Sequence, residues 1–175
     1  MEVILSAPRG FCAGVVRAVD VVELCLENFG SPIYVRKEIV HNPHVVSSLR
    51  DKGAIFVDEL DEVPIGQRVV FSAHGVSPSV WKRSKERNLS VIDATCPLVT
   101  KVHLEALKYA KEGYTILLIG HKGHDEVIGT MGQLPEGSIK LIETEKDAQN
   151  LKSSEFNKPV AYVTQTTFSV EGSGS

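Results

Sequence analysis

The sequence predicts an α/β protein of two similar lobes, each a mainly parallel sheet flanked by helices. Three observations carry that expectation. Short runs rich in β-branched and aromatic residues alternate with longer segments whose apolar residues recur at helical spacing, the pattern of parallel strands joined by crossover helices. The unit of strand, polar turn and helix recurs without strict repetition. Its closest pair is a strand running into His74-Gly75 and a strand running into His121-Lys122-Gly123-His124. The composition, 42% hydrophobic and 23% charged over 175 residues, is that of an ordinary globular chain of one domain or two small ones. The division is expected near residue 97, giving lobes 1–97 and 98–171. The tail Gly172-Ser173-Gly174-Ser175 reads as a linker or tag remnant that interrupts what should be the next helix, so the chain reads as cut short.

Val3–Ser6 reads as the first strand. A turn follows in which Gly10 and Gly14 bracket Cys12, leaving the backbone room to approach something bound. Val15–Asn28 places Val15, Val19, Val22 and Leu26 on one helical stripe, with Gly30 as the stop; Cys25 lies within it and reads as core. Pro32–Arg36 is a short strand. Asn42-Pro43 opens a helix to about Asp51, Gly53 ends it, and Ala54–Val57 is a strand. Arg68–Ser72 is another strand. Ser77-Pro78, an N-cap with proline at the first helical position, opens a helix to about Arg87. Ser90–Ile92 is a strand, and a helix from Leu98 to Lys111 is stopped by Gly113. Tyr114–Ile119 is a buried strand. A weaker helix around Val127–Met131, a strand at Ile139–Ile142, a helix from about Glu145 and a strand at Val160–Val163 complete the alternation.

Several function classes are disfavoured. A net charge of −3 without a Lys/Arg cluster argues against nucleic acid as a partner. No apolar run approaches the roughly 20 residues that span a bilayer. The N-terminus has no charged start before an apolar run, so no signal or transit peptide is read. Three cysteines, an odd number, do not suggest a disulfide framework, and a reducing, cytoplasmic setting is expected.

In open parallel sheets, ligands bind beyond the carboxyl ends of the strands. The chemically capable residues fall there: Cys12, His41, His74, Cys96, His124, Glu126 and the pair Thr166-Thr167. Singly, each has a plain reading as a cap, a hydrogen-bonding group or a buried side chain. Together they occupy equivalent topological positions that converge in space. Imidazoles, hydroxyls and helix N-termini make a site for phosphate groups. Cysteines far apart, with no CxxC, could share one metal centre, as zinc or as an iron–sulfur cluster with one non-protein position. Helix N-termini favour negative charge, which suits thiolate ligands. Spacing alone leaves these open.

The motifs themselves bear a resemblance. Pro8-Arg9-Gly10-Phe11-Cys12-Ala13-Gly14, Tyr34-Val35-Arg36 with Glu38 and His41-Asn42, Phe71-Ser72-Ala73-His74-Gly75-Val76, Asp93-Ala94-Thr95-Cys96-Pro97-Leu98-Val99 and Gly120-His121-Lys122-Gly123-His124 closely resemble the 4-hydroxy-3-methylbut-2-enyl diphosphate reductase family (IspH or LytB). The resemblance runs from residue 1 to about 170. It implies a three-lobe oxidoreductase of the non-mevalonate isoprenoid pathway whose oxygen-sensitive 4Fe–4S cluster is held by three cysteines. It also implies that an iron binds the substrate's hydroxyl oxygen. Two electrons and protons then remove that oxygen as water, leaving isopentenyl or dimethylallyl diphosphate. Carried over residue by residue, Cys12 and Cys96 match two cluster ligands. His41, His74 and His124 match diphosphate-binding histidines, Glu126 the proton source and Thr166 a hydroxyl near the substrate. Ferredoxin or flavodoxin is the implied electron donor.

Chemistry agrees with these roles. Histidine N–H groups suit a diphosphate, the more so when protonated. A carboxyl two residues after such a histidine can deliver a proton to the reacting carbon. His44, His103 and His121 match no role and read as surface or supporting residues. The family's third lobe, with its third cluster cysteine and a Ser/Asn-rich loop, is expected to be missing from these 175 residues, and Cys25 is not expected to substitute. The alternative expectation is therefore a catalytically inactive fragment that at most binds diphosphate or a partial cluster. A zinc-dependent hydrolase using Cys12, Cys96 and one histidine is a third reading.

Overall fold

The computed structural model describes residues 3–4, 9–152 and 156–167. Its regular elements alternate as the sequence predicts: α1 (Ala13–Phe29), β1 (Ile33–Arg36), α2 (Pro43–Asp51), β2 (Ala54–Val57), β3 (Arg68–Phe71), α3 (Pro78–Glu86), β4 (Ser90–Asp93), α4 (Pro97–Lys111), β5 (Thr115–Ile119), α5 (Asp125–Met131), β6 (Ile139–Ile142), α6 (Glu145–Gln149) and β7 (Val160–Thr164). A 3-10 turn at Leu60–Glu62 is an addition, because three residues are too short for any periodicity to announce. The strand expected at 3–6 lies partly outside the described residues; Val3 and Ile4 belong to neither sheet. The tail from residue 172 also lies outside them. Among the described residues, no helix is long and apolar enough to cross a membrane.

Among the described residues two fully parallel sheets form, one in the order β2-β1-β3-β4 and one in the order β6-β5-β7. Successive side chains of a strand point to opposite faces, and β3 shows it. Val70 joins Ala18, Val22, Ile33, Val35 and Leu49 on the face covered by α1 and α2. Val69 and Phe71 join Val57, Val63 and Val76 on the other face. In the second sheet Ile116, Leu118 and Val163 pack with Val127 of α5. Each fully buried branched side chain contributes about 1.5–3 kcal/mol, so both sheets are anchored by their central strands.

The strand orders decide where a ligand can sit. In the first sheet the chain leaves β1 toward β2, then crosses back to place β3 on the other flank of β1. In the second it leaves β5 toward β6 and returns with β7 on the opposite flank. Such reversals open a crevice at the carboxyl ends of the two strands involved. The two crevices, β1/β3 and β5/β7, meet because α5 packs against the stretch after β3. A Cβ on Gly129 would lie 3.1 Å from the Gly75 carbonyl oxygen. The Gln133 side-chain amide donates to the carbonyls of Val76 and Gly129, each at 2.9 Å.

Element boundaries differ where the site begins. Three helices start one or two residues before the expected position, at Ala13, Pro97 and Asp125, and β3 stops at Phe71 rather than Ser72. The consequence is that Cys12, Cys96 and His124 are all helix N-caps, and Ser72 belongs to the functional turn.

Candidate functional site

His41 follows β1 and His74 follows β3, so the first crevice holds both. Their ring centroids are 4.2 Å apart. His124 arrives from the second crevice, edge-on at 5.0 Å from the His41 ring and 5.6 Å from the His74 ring. One ring nitrogen of each of the three lies within 4.8 Å of the others.

Each imidazole turns Nδ1 back onto the protein. His41 Nδ1 lies 3.6 Å from the Glu38 carboxylate. His74 Nδ1 lies 3.1 Å from the Ser72 hydroxyl. His124 Nδ1 accepts the Glu126 backbone N–H at 3.2 Å. In each ring Nε2 is the nitrogen left to meet a ligand. For His124 the tautomer follows: a nitrogen that accepts a hydrogen bond carries no hydrogen, so the hydrogen is on Nε2. A metal ion would need the lone pair at that position, whereas an anion takes the hydrogen as it stands. The spacing suits a metal or an anion, and the His124 hydrogen-bond pattern favours the anion.

Burial pushes the His74 pKa down to about 4, helped by His41 and His124 and opposed by Asp125. His124 is lowered too, first by burial and then by His41, with Asp125 opposing. Both rings are therefore neutral near pH 7. The donor each ring offers is the N–H of a neutral imidazole, and protonation is favoured only when an anion supplies the opposite charge.

Glu126 and Thr166 meet across the second crevice. The carboxylate is 2% exposed. Its Oε1 accepts the Thr166 backbone N–H at 2.6 Å and its Oε2 the Thr166 hydroxyl at 2.9 Å. Burial raises the Glu126 pKa and the two Thr166 bonds oppose that rise. A carboxyl pushed up in this way is better suited than an ordinary one to hold and deliver a proton. Gln165, to which the sequence assigned no role, is buried. It accepts the His121 N–H at 3.1 Å and donates to the Thr167 hydroxyl at 2.7 Å, tying the turn after β7 to the turn after β5.

Cys12 caps α1 and Cys96 caps α4, and neither side chain makes a capping hydrogen bond. A Cβ on Gly14 would lie 2.6 Å from Cys96 Sγ and 3.8 Å from Cys12 Sγ, so the sulfurs are separated by no more than the sum of those distances. One bond spans this pairing and another ties it to the turn after β3. Arg17 of α1 donates to the Thr95 carbonyl at 2.9 Å, and the Cys96 N–H donates to the Ala73 carbonyl at 2.9 Å. The second bond sets the thiol-bearing turn directly beside His74. Cys25 is elsewhere, 5% exposed in the core against the first sheet, with its pKa raised by that burial. His44 is exposed in the first turn of α2. His103 is half-buried behind Gly75, whose added Cβ would lie 2.8 Å from its ring.

With this geometry in view, known proteins bear on the chain. The family model described as LytB protein matches residues 3–174. A relative from Rhodopirellula baltica called 4-hydroxy-3-methylbut-2-enyl diphosphate reductase is 60% identical over 99% of this chain and 54% of its own length. One of the same name from Azoarcus sp. is 58% identical over 97% of this chain and 54% of its own length. The solved structure of the E-1-hydroxy-2-methyl-but-2-enyl-4-diphosphate reductase from Plasmodium falciparum superposes with a TM-score of 0.88 at 48% identity, covering 94% of this chain and 51% of that one. The chain thus spans about half the length of the curated relatives it matches. On the family match over nearly its whole length, at these identities, the chain belongs to the LytB protein family.

Proposed function

We propose that the chain carries the diphosphate-binding face and two thiolate ligands of an iron–sulfur oxidoreductase. Its reaction is the reductive dehydroxylation of 4-hydroxy-3-methylbut-2-enyl diphosphate to isopentenyl and dimethylallyl diphosphates. The observation that carries this reading is the hydrogen bond from the Cys96 N–H to the Ala73 carbonyl, which sets a soft-ligand pair beside a cluster of anion donors. The residues fit a 4Fe–4S cluster. Two uncommitted thiols converge on the space left by the missing Gly14 side chain, and thiolates are the ligands such clusters require. When bound, the cluster supplies electrons and an iron that acts as a Lewis acid toward the leaving oxygen.

The chain's own residues do the rest. His74 and His124 bind the diphosphate oxygens through Nε2–H, with the His41 ring packed against both, and so orient the substrate's carbon end. Glu126, its pKa raised by burial, holds the proton that the carbon skeleton takes up. Thr166 keeps that carboxyl aimed by two hydrogen bonds and places its hydroxyl at the same crevice. A ferredoxin or flavodoxin in the cytoplasm is the proposed electron donor. The lobes are read as 1–97 and 98–171, with the site between them. A second reading, a module that binds diphosphate without catalysis, is favoured by one observation: Cys25 is committed to the core, so these 175 residues offer two thiols.

The test is iron and acid-labile sulfide per chain after anaerobic reconstitution. The proposal expects bound iron and sulfide that are lost in Cys12→Ser and in Cys96→Ser and kept in Cys25→Ser. Iron retained regardless of Cys12 and Cys96 overturns it.

A further inference from the structure

We propose that Ser72 is a positioning residue that holds His74 in the tautomer with its hydrogen on Nε2, so that the ring meets a diphosphate as a donor. The second half of this inference rests on the diphosphate reading; the tautomer itself does not. Ser72 is 2% exposed, and His74 Nδ1 at 3.1 Å is the one hydrogen-bond partner of its hydroxyl among the described residues. Two arrangements satisfy that distance. In one the hydroxyl donates to Nδ1, the Ser72 hydrogen is paired, and the ring hydrogen is on Nε2. In the other Nδ1–H donates to the hydroxyl oxygen, and the Ser72 hydrogen is left buried without an acceptor. Leaving a buried donor unpaired disfavours the second arrangement by roughly tenfold or more.

The difference matters because of what Nε2 then presents. The second arrangement would turn a lone pair toward an incoming phosphate oxygen, beside two other imidazoles. The first turns a hydrogen toward it. His124 reaches the same state by a different device, since its Nδ1 accepts a backbone N–H at the start of α5. His74 sits in an irregular turn with no such N–H on Nδ1, and the neighbouring hydroxyl serves instead. The depressed pKa of His74 supports this, because a neutral ring has one hydrogen and its location decides whether the ring attracts or repels an anion.

The experiment is long-range proton–nitrogen NMR of the chain labelled in its histidine side chains, with the His74 signals assigned by their loss in His74→Asn. The expected result is an unprotonated Nδ1 and a protonated Nε2 for His74 at pH 7. In Ser72→Ala the two tautomers are expected to mix and inorganic pyrophosphate binding to weaken about tenfold, the loss of one useful hydrogen bond. Ser72→Thr, which keeps the hydroxyl, is expected to restore both. A protonated Nδ1 in the wild-type chain overturns the inference without recourse to any variant, and so do unchanged His74 signals in a folded Ser72→Ala. A wild-type chain that shows the Nε2–H tautomer but no pyrophosphate binding upholds the role of Ser72 on the ring and overturns the diphosphate reading instead.

Discussion

Gly14→Ala separates fold stability from thiol pairing. The added methyl would sit 2.6 Å from Cys96 Sγ, where non-bonded heavy atoms prefer about 3.5–4.0 Å, so something must move by roughly 1 Å. Two responses are available. The Cys96 side chain rotates away from Cys12, or the start of α1 shifts and strains the Arg17 bond to Thr95. Overpacking of this kind costs about 1–3 kcal/mol. Alanine in place of glycine in a helix returns about 1 kcal/mol. The net loss of stability is therefore small, about 0–2 kcal/mol, while the geometry shared by the two sulfurs is lost. The assay is capture of both thiols by one trivalent arsenical in a Cys25→Ser background, read by intact mass, alongside thermal unfolding. Wild type should bind one arsenical bridging Cys12 and Cys96, and Gly14→Ala should bind it at least tenfold more weakly with little change in Tm. Equal capture by a folded Gly14→Ala would refute the claim that Gly14 is the space the two sulfurs share.

Three further outcomes follow from the same geometry. His74 has a folded pKa of about 4 against 6.5 for an ordinary histidine, so its contribution to stability is present above pH 6.5 and lost as pH falls toward 4. At 1.36 kcal/mol per pKa unit this loss is at most about 3.4 kcal/mol, and urea unfolding at stepped pH should show it shrink in His74→Asn and with inorganic pyrophosphate present. Glu126 is raised, so its contribution is present at low pH and lost as pH rises through the raised value. Glu126→Gln should therefore leave Tm at pH 8 unchanged or up by roughly 2–4 °C, while any dehydroxylase turnover falls about a hundredfold or more. Gly129→Ala places a methyl 3.1 Å from the Gly75 carbonyl oxygen, and should cost about 1–3 kcal/mol in denaturant unfolding and shift the NMR signals of His74 and His124 together.

The architecture was legible because its signals are local. Alternating β-branched runs and helical stripes announce strands and helices, and glycines and prolines mark their ends, as Asn42-Pro43 does for α2. What local pattern cannot carry is strand order, and strand order made the site. Nothing in the residues of β2 or β6 says that the chain crosses back over β1 and β5, yet those reversals bring His41 to His74 and Glu126 to Thr166. The expectation that strand-end residues converge was right about the edge and silent about the partners.

Ser72 was read as the last residue of a strand, because a small polar residue after Val69-Val70-Phe71 looks like strand continuation. Its hydroxyl gains meaning only from the His74 ring two residues on. Gly129 gave no signal, since a glycine in a short helix is ordinary until another backbone is found against it. The charge state of His74 and His124 was not legible for a related reason: burial and mutual proximity set it, and neither is visible along the chain.

The most direct test of the account is calorimetric binding of 4-hydroxy-3-methylbut-2-enyl diphosphate to the chain, with inorganic pyrophosphate as competitor. The account predicts one site per chain, displaced by pyrophosphate and weakened at least tenfold in His124→Phe, which removes the ring and its Nε2–H donor. It also predicts near wild-type binding in His44→Phe, where the exposed histidine lies outside the cluster. Absence of binding, or binding indifferent to His124, would contradict it.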